Sequence, residues 1–256
     1  MSDLELSSFE MHYFSRIRLR RNVSAAALAR SLLPNELNAR LNAAHRLIWS
    51  VFPHKPDQKR DFLWREEGSK GLSPGSGSFL VLSRRPPEDE HGLFEIDPPK
   101  PFEPNLQPED RLGFLLRVNP VVARSVEVRD GEKGRSRSKR CDVVMDRLKA
   151  LPSEARAEKR TKVMNEAALD WLASQGRARG FRFERNEVSV DGYCRLRIPR
   201  EGCSRKSSSF SPVMVSTLDL EGYLTVEHPK HFMRSICAGF GRAKAFGCGL
   251  MLIRRV

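Results

Sequence analysis

The sequence has little of what a metal site, a secreted protein or a membrane protein needs. Its five cysteines are an odd number and widely spaced, with no CxxC pair and no cysteine–histidine spacing of a zinc site. No apolar run approaches the roughly 20 residues that cross a bilayer. The acidic start of the chain lacks the apolar segment of a signal peptide. We therefore expect a cytoplasmic protein with reduced thiols, no membrane association, no metal and no cofactor.

Negative charge is scarce as well. The 256 residues include 45 Lys and Arg against 32 Asp and Glu, a net charge of +13. Eight of the acidic residues lie between residues 86 and 110, where Lys100 is the single base, so the rest of the chain is more basic than the total indicates. Such a protein attracts polyanions, and nucleic acid is the commonest of them. A protein that binds anionic membrane surfaces is the weaker alternative.

The first half of the chain has the order strand, helix, strand, strand. Residues 12–20 alternate apolar and basic side chains, which predicts a strand with one wet face. Over residues 35–52, apolar residues recur at three- and four-residue intervals and form one stripe of a helix. Residues 60–65 and 78–83 are predicted strands, because each is rich in apolar residues and a Gly/Ser/Pro loop separates them.

The second half repeats this order and adds a helix and a strand. We predict strands at 112–118, 213–218, 223–226 and 250–253 and helices at 155–175 and 228–239, with Glu221-Gly222 between the second and third of these strands. Strand–helix–strand–strand–helix–strand is the order of a ferredoxin-like unit, a small antiparallel sheet with helices on one face. The predicted fold class is therefore α+β, with two ferredoxin-like (RRM-like) domains in tandem.

Composition sets the expected domain limits. Residues 1–10 are a polar N-terminal extension, and residues 11–97 form the first ferredoxin-like domain. Residues 98–110 are a proline-rich acidic connection, and residues 111–256 form the second domain.

A dense basic segment lies in the second domain, at residues 133–140, with five positive charges in eight residues and no acid. Charges of one sign this close repel one another unless they face solvent or a polyanion. The segment is either a solvated charge run or a loop or hairpin tip that holds phosphates, and the basic remainder of the chain favours the second.

A glycine-rich segment, residues 239–249, has four glycines and two bases between a predicted helix and the last predicted strand. Glycine permits positive φ and close approach of the backbone, so successive amides can point at phosphate oxygens while Arg242 and Lys244 supply charge. It lacks the GxxxxGK[ST] pattern, and it follows a helix where a Rossmann loop follows a strand. Tight turn packing is the structural alternative.

One histidine has a position of interest. His45 falls at the border of the apolar stripe of the first long helix, beside Arg46 and Trp49. A histidine at such a border is commonly a half-buried packing residue, and catalysis is the other interpretation. None of the other five histidines is a stronger candidate for catalysis, and the sequence shows no Ser/His/Asp or paired-carboxylate arrangement.

Several segments, in order, resemble the CasE family, the repeat-processing endoribonucleases of type I-E CRISPR systems. The glycine-rich segment in its helix–loop–strand setting is the most specific of them. The segments that carry the resemblance are His12-Tyr-Phe-Ser-Arg16, His45-Arg-Leu-Ile-Trp-Ser-Val-Phe-Pro53, Arg60-Asp-Phe-Leu-Trp64, Leu116-Arg-Val-Asn-Pro120, Lys139-Arg-Cys-Asp-Val143 and the segment from Gly239 to Leu250.

The resemblance implies a tandem ferredoxin-like protein that binds a CRISPR repeat hairpin and cleaves pre-crRNA at the 3′ base of the stem, without metal. It also implies retention of the mature crRNA and association with other Cascade subunits. The catalytic histidine of the family matches His45. A tyrosine three residues before it in well-known members is replaced here by Asn42, so a two-residue acid–base pair is not expected.

The remaining site residues expected are RNA contacts. They are Arg46, Arg135, Arg137, Lys139 and Arg140, together with Gly239, Gly241, Arg242, Lys244, Gly247 and Gly249. Duplex RNA hides its base edges in a deep, narrow groove, so recognition of the stem should depend largely on shape and backbone. The alternative function is a non-catalytic subunit that binds an RNA hairpin within a ribonucleoprotein complex.

Overall fold

The computed structural model of the protein describes residues 10–20, 33–34, 36–52, 59–68, 77–126, 137–198 and 213–256. The first half contains one helix and five strands within these ranges. They are β1 (Tyr13–Leu19), α1 (Leu37–Trp49), β2 (Phe62–Glu66), β3 (Ser78–Ser83), β4 (Phe94–Ile96) and β5 (Lys100–Pro101).

The second half begins with a long strand and carries the remaining helices. Its elements are β6 (Arg111–Val118), β7 (Val121–Val126), β8 (Arg137–Asp142), α2 (Val143–Lys149), α3 (Ala155–Arg179), β9 (Phe181–Arg182), β10 (Val188–Ile198), β11 (Val213–Val226), α4 (Pro229–Ala238) and β12 (Met251–Arg255). A short 3-10 turn, Arg185–Glu187, precedes β10, and another, Lys244–Phe246, lies between α4 and β12.

The two halves have the same sheet topology. In the first sheet the strand order is β2-β3-β1-β4, and in the second it is β10-β11-β6-β12. Neighbouring strands are antiparallel in both sheets. With α1 after β1, and with α3 and α4 after β6 and β11, this is the arrangement of a ferredoxin-like unit. The predicted α+β fold with two such units in tandem is confirmed.

Each sheet buries an apolar face against its helices, and the two cores interlock. In the second half Trp171 of α3 and Phe232 of α4 pack in one cluster with Leu116 of β6. That cluster also takes in Leu63 from the first sheet. Conversely, Leu196 of β10 belongs to the cluster built around α1. The elements that carry His45 and the glycine-rich segment are therefore held against each other by shared apolar burial.

The expectation of two strands interrupted at Glu221-Gly222 is wrong, because β11 runs unbroken through both residues. Gly222 serves close packing instead of a turn. A Cβ added to it would lie 2.2 Å from the carbonyl oxygen of Glu187, so the start of β10 approaches the strand closely at this residue.

The basic segment at 133–140 lies partly in a hairpin. β7 and β8 pair antiparallel from Val121–Asp142 to Val126–Arg137, and residues 127–136 between them lie outside the described residues. The hairpin base is fixed by Asp142, whose carboxylate accepts from the backbone N–H groups of Val144 and Met145 and from the hydroxyl of Tyr193. Residues 137–140 of the basic segment are therefore strand residues, whereas residues 133–136, which complete the predicted loop or hairpin tip, lie outside the described residues.

The expected domain limits stay a prediction. β5 pairs with β1 although it falls inside the predicted connection at 98–110, so the first sheet extends beyond residue 97. Within the described ranges, no helix has both the length and the apolar character needed to cross a membrane.

Candidate active site

His45 lies on α1, where the helix meets the glycine-rich segment. Its imidazole is half-buried, and its ring centroid lies 6.5 Å from that of Phe246 in the second 3-10 turn. On the same helix, the indole N–H of Trp49 donates to Nε2 of His45 at 3.2 Å. Nδ1 is buried and has no hydrogen-bond partner among the described residues. The ring is therefore at the edge of the core and against the glycine-rich segment, not sealed away from it.

The surroundings of His45 keep it uncharged. Burial, together with the positive charge of Arg60, lowers its pKa from 6.5 to about 4. At neutral pH the imidazole is therefore neutral, and a lone pair on one ring nitrogen is available to accept a proton.

The glycine-rich segment turns sharply between α4 and β12. All four of its glycines have positive φ, as does Ala243. At Gly239 (φ +77°) an added Cβ would lie 2.7 Å from the side chain of Leu63 and 3.1 Å from Cε of Lys244. Glycine is needed there, because both the backbone conformation and the space exclude a side chain. The segment thus packs against Leu63 of β2, and the side chain of Lys244 folds back over Gly239.

Three half-buried cations gather around this turn: Arg60 just before β2, Arg179 at the end of α3, and Lys244. We call them the cation cluster. Lys244 Nζ donates to the carbonyl of Ala238 at 2.7 Å, and Arg179 Nη1 donates to the carbonyl of Gly239 at 3.3 Å. Both carbonyls end α4, where the helix dipole favours positive charge. Arg179 also lies over the ring of Phe240, 4.9 Å from its centroid.

The described part of the chain supplies no carboxylate partner to the cation cluster. Among the residues that the structure describes, no carboxylate forms an ion pair with any of its three members. Burial lowers the pKa of all three, and repulsion by Arg60 and Arg179 lowers that of Lys244 further. Nε of Arg60 is buried with no described partner. Buried positive charge without a counter-ion is costly, and a bound phosphate would offset that cost.

The predicted RNA contacts fall in two separate places. The four glycines, Arg242 and Lys244 lie together at the turn beside His45, and Arg46 is exposed on α1 next to it. Lys139 and Arg140 are exposed on β8, at the hairpin anchored beside α2 and β10. For Arg137 the structure gives the backbone in β8 and no side-chain surroundings, and Arg135 lies outside the described residues.

The sequence did not single out Arg60, Arg179 or Trp49 as site residues. Arg60 and Arg179 are remote in sequence from both His45 and Lys244, and no local pattern indicates that they meet at one turn. Trp49 could have been found, since it is four residues from His45 and hence on the same face of α1. Asn42, half-buried one turn before His45, has no ionisable group.

The chain is similar to known CRISPR-associated proteins. A family model described as CRISPR associated protein matches residues 12–255. The CRISPR-associated endoribonuclease Cse3 of Thermus thermophilus is 28% identical over 220 residues, 82% of this chain and 87% of that protein. The Cascade subunit CasE of Escherichia coli is 25% identical over 226 residues, 88% of this chain and 96% of that protein.

Solved structures share the fold. A structure of the endoribonuclease Cse3 bound to a 19-nucleotide RNA superposes with a TM-score of 0.62 at 24% identity, covering 95% of this chain and 99% of that one. The crystal structure of Cas6e from Escherichia coli gives a TM-score of 0.57 at 22% identity, covering 95% of this chain and 100% of the other.

Proposed function

Because this chain belongs to the CasE family of CRISPR-associated proteins, we propose that it is an endoribonuclease that binds the stem-loop of CRISPR repeat RNA and cuts pre-crRNA at the 3′ base of the stem. One observation carries the proposal. A neutral, half-buried imidazole lies against a glycine-rich turn, beside three cations that have no carboxylate partner among the described residues.

The chemistry uses the nucleophile that RNA carries. The ribose 2′-OH attacks the adjacent phosphorus, so the protein must align the two, accept a proton and stabilise the negative charge of the phosphorane. His45 accepts the proton, and the cation cluster receives the phosphate oxygens. This mechanism needs no metal. The products are a fragment with a 5′-OH and one with a 2′,3′-cyclic phosphate or 3′-phosphate.

The substrate is held at two places. The turn that Gly239, Gly241, Gly247 and Gly249 form contacts the RNA near the scissile phosphate through Arg242, with Arg46 beside it. Gly239, Gly247 and Gly249 are themselves buried and set the shape of the turn. Arg135, together with Arg137, Lys139 and Arg140 of β8, contacts the backbone of the stem, and the exposure of Lys139 and Arg140 supports this role.

The product would remain with the protein. One relative is named a subunit of Cascade, so we propose that this chain retains the mature crRNA and joins other Cascade subunits. Because its substrate is a transcript, the activity belongs in the cytoplasm.

A single-turnover assay with the cognate repeat hairpin tests the function. We expect the same cleavage rate with and without EDTA, and products with a 5′-OH and a cyclic phosphate. A 2′-deoxy substitution at the scissile ribose should abolish cleavage and leave binding intact, because the nucleophile is missing. Loss of activity in EDTA would contradict the metal-free mechanism. Tight binding with no products after long incubation would identify a non-catalytic RNA-binding subunit instead.

The role of the cation cluster can be tested with Lys244→Ala. Removing one charge that stabilises the phosphorane should lower the single-turnover rate by about tenfold or more. Lys230→Ala is the matched control, since Lys230 is exposed at the other end of α4. Equal rates for the two variants would remove Lys244 from the site.

A further inference from the structure

Trp49 forms a hydrogen bond with one of the two ring nitrogens of His45. An indole N–H can only donate, so the Nε2 atom that accepts from it must hold its lone pair. A neutral imidazole with the lone pair on Nε2 has its proton on Nδ1. The hydrogen bond therefore selects a single tautomer of His45 in the free protein.

The indole is itself held in place. Its ring lies edge-on against Phe62, the first residue of β2, with centroids 5.0 Å apart and an interplanar angle of 78°. Phe62 in turn stacks on Phe52 at 4.7 Å and 12°. Trp49 and His45 also meet edge-on, at 6.2 Å and 80°. A chain of packed rings thus fixes the direction of the indole N–H, and through it the orientation of the imidazole.

The tautomer matters because of where the two nitrogens lie. Nδ1 is sealed from solvent and has no described partner, whereas the imidazole as a whole is only half-buried. Of the two ring nitrogens, Nδ1 is therefore closed to a ribose, which leaves Nε2 for the approach of the substrate. The indole N–H donates to Nε2 over an N–N distance of 3.2 Å, which is at the long end of the normal range. This hydrogen bond is therefore weak enough for a substrate hydroxyl to replace the indole N–H.

We propose that Trp49 is a positioning residue for RNA cleavage, which holds His45 as the Nδ1–H tautomer with its Nε2 lone pair directed at the indole N–H until the 2′-hydroxyl takes the place of that N–H. This role rests on the function proposed above. It explains how a single histidine, without the tyrosine that Asn42 replaces, is prepared as a base before RNA arrives.

The 2′-O–H bond breaks and its proton moves to Nε2, while the 2′ oxygen forms a bond to phosphorus. The phosphorus–5′-oxygen bond breaks with both electrons going to oxygen, which takes a proton from water. The imidazolium returns its proton to solvent, so His45 ends as it began.

The charged groups around His45 make this transfer depend on the substrate. β10 turns Leu196 and Ile198 toward α1, so its exposed Arg195 and Arg197 face away from His45. The charged groups on the His45 side are Arg60 on the approach to β2, Lys244 in the 3-10 turn and Arg46 on α1 itself. All are positive. An imidazolium among them is unfavourable until the phosphorane supplies negative charge, so proton transfer and attack should occur together.

The proposal is tested by Trp49→Phe, which keeps an aromatic ring against Phe62 and removes the N–H. Nitrogen-15 NMR of the free protein should show His45 as the pure Nδ1–H tautomer in the wild type and as a mixture in the variant, with the signal assigned by His45→Gln.

In single-turnover assays the variant should bind RNA normally and cut about tenfold more slowly, because the base is misoriented. The acid limb of its pH–rate curve should move to higher pH, since a bond that favours neutral His45 is lost.

Replacing Trp49 by benzothienylalanine, which has sulfur in place of the N–H, separates the hydrogen bond from ring packing and should give the same changes. The same replacement at Trp64, whose Nε1 has no described partner, is the control and should leave the tautomer unchanged. A single Nδ1–H tautomer, an unchanged acid limb and a wild-type rate in both Trp49 variants would overturn the proposal. If the wild type cuts no repeat RNA, the proposed function is wrong. The NMR experiment is done without RNA, so it tests the effect of Trp49 on the His45 tautomer separately.

Discussion

Replacing His45 by alanine is expected to lower the single-turnover rate of hairpin cleavage at least about a hundredfold, with RNA affinity little changed. The imidazole is the one group at the described part of the turn that is neutral at pH 7 and able to accept the proton of the 2′-OH, and such proton transfers are worth about 10²- to 10⁴-fold. The cation cluster and the bases of residues 133–140, which we propose to hold the phosphates, are unchanged by the substitution.

His91→Ala is the control, because His91 is exposed in the loop before β4. Cleavage by the His45 variant at the wild-type rate would remove this residue from the mechanism. A parallel loss of rate and RNA affinity, with a lowered melting temperature, would instead assign His45 a packing role, which is the interpretation that its position on the helix alone allowed.

Asp219→Ala should destabilise the whole protein by about 3 to 5 kcal/mol, because it leaves two buried guanidinium groups without their carboxylate. Asp219 of β11 accepts from Arg117 of β6 through Nε at 3.0 Å and Nη2 at 2.8 Å, and from Nη2 of Arg65 at 3.2 Å. All three side chains are less than 10% exposed. Since Arg65 lies on β2, this ion triad joins the two sheets.

Asp170→Ala provides a matched comparison for the triad. Asp170 also bridges two arginines, Arg147 and Arg185, but it is 42% exposed, so its loss should cost less than about 1 kcal/mol. Urea and thermal unfolding of both variants measure the difference. Equal stabilities for the two would show that the buried triad does not hold the sheets together.

Much of the fold follows from local sequence pattern. The stripe from Leu37 to Val51 predicted α1, and the apolar run at 112–118 predicted β6, because burial of one face imposes a period on the sequence. Where a residue's role depends on a distant segment, the same reasoning was wrong. Gly222 was predicted to lie in a turn, but it is a strand residue. It must be glycine because the start of β10 leaves no room for a side chain there, and no local sequence pattern indicates that contact.

The features of the active site likewise fall into those that the sequence indicates and those that only the fold creates. The sequence by itself determined the basic character of the chain, the two ferredoxin-like units, and the pairing of a border histidine with a glycine-rich segment in a CasE-like order. Only the tertiary structure decided that Arg60, Arg179 and Lys244 meet at one turn with no carboxylate among the described residues, and that Trp49 hydrogen-bonds to His45. The reason is physical: charge and periodicity are properties of a segment, whereas a pKa and a hydrogen bond depend on neighbours that only folding brings together.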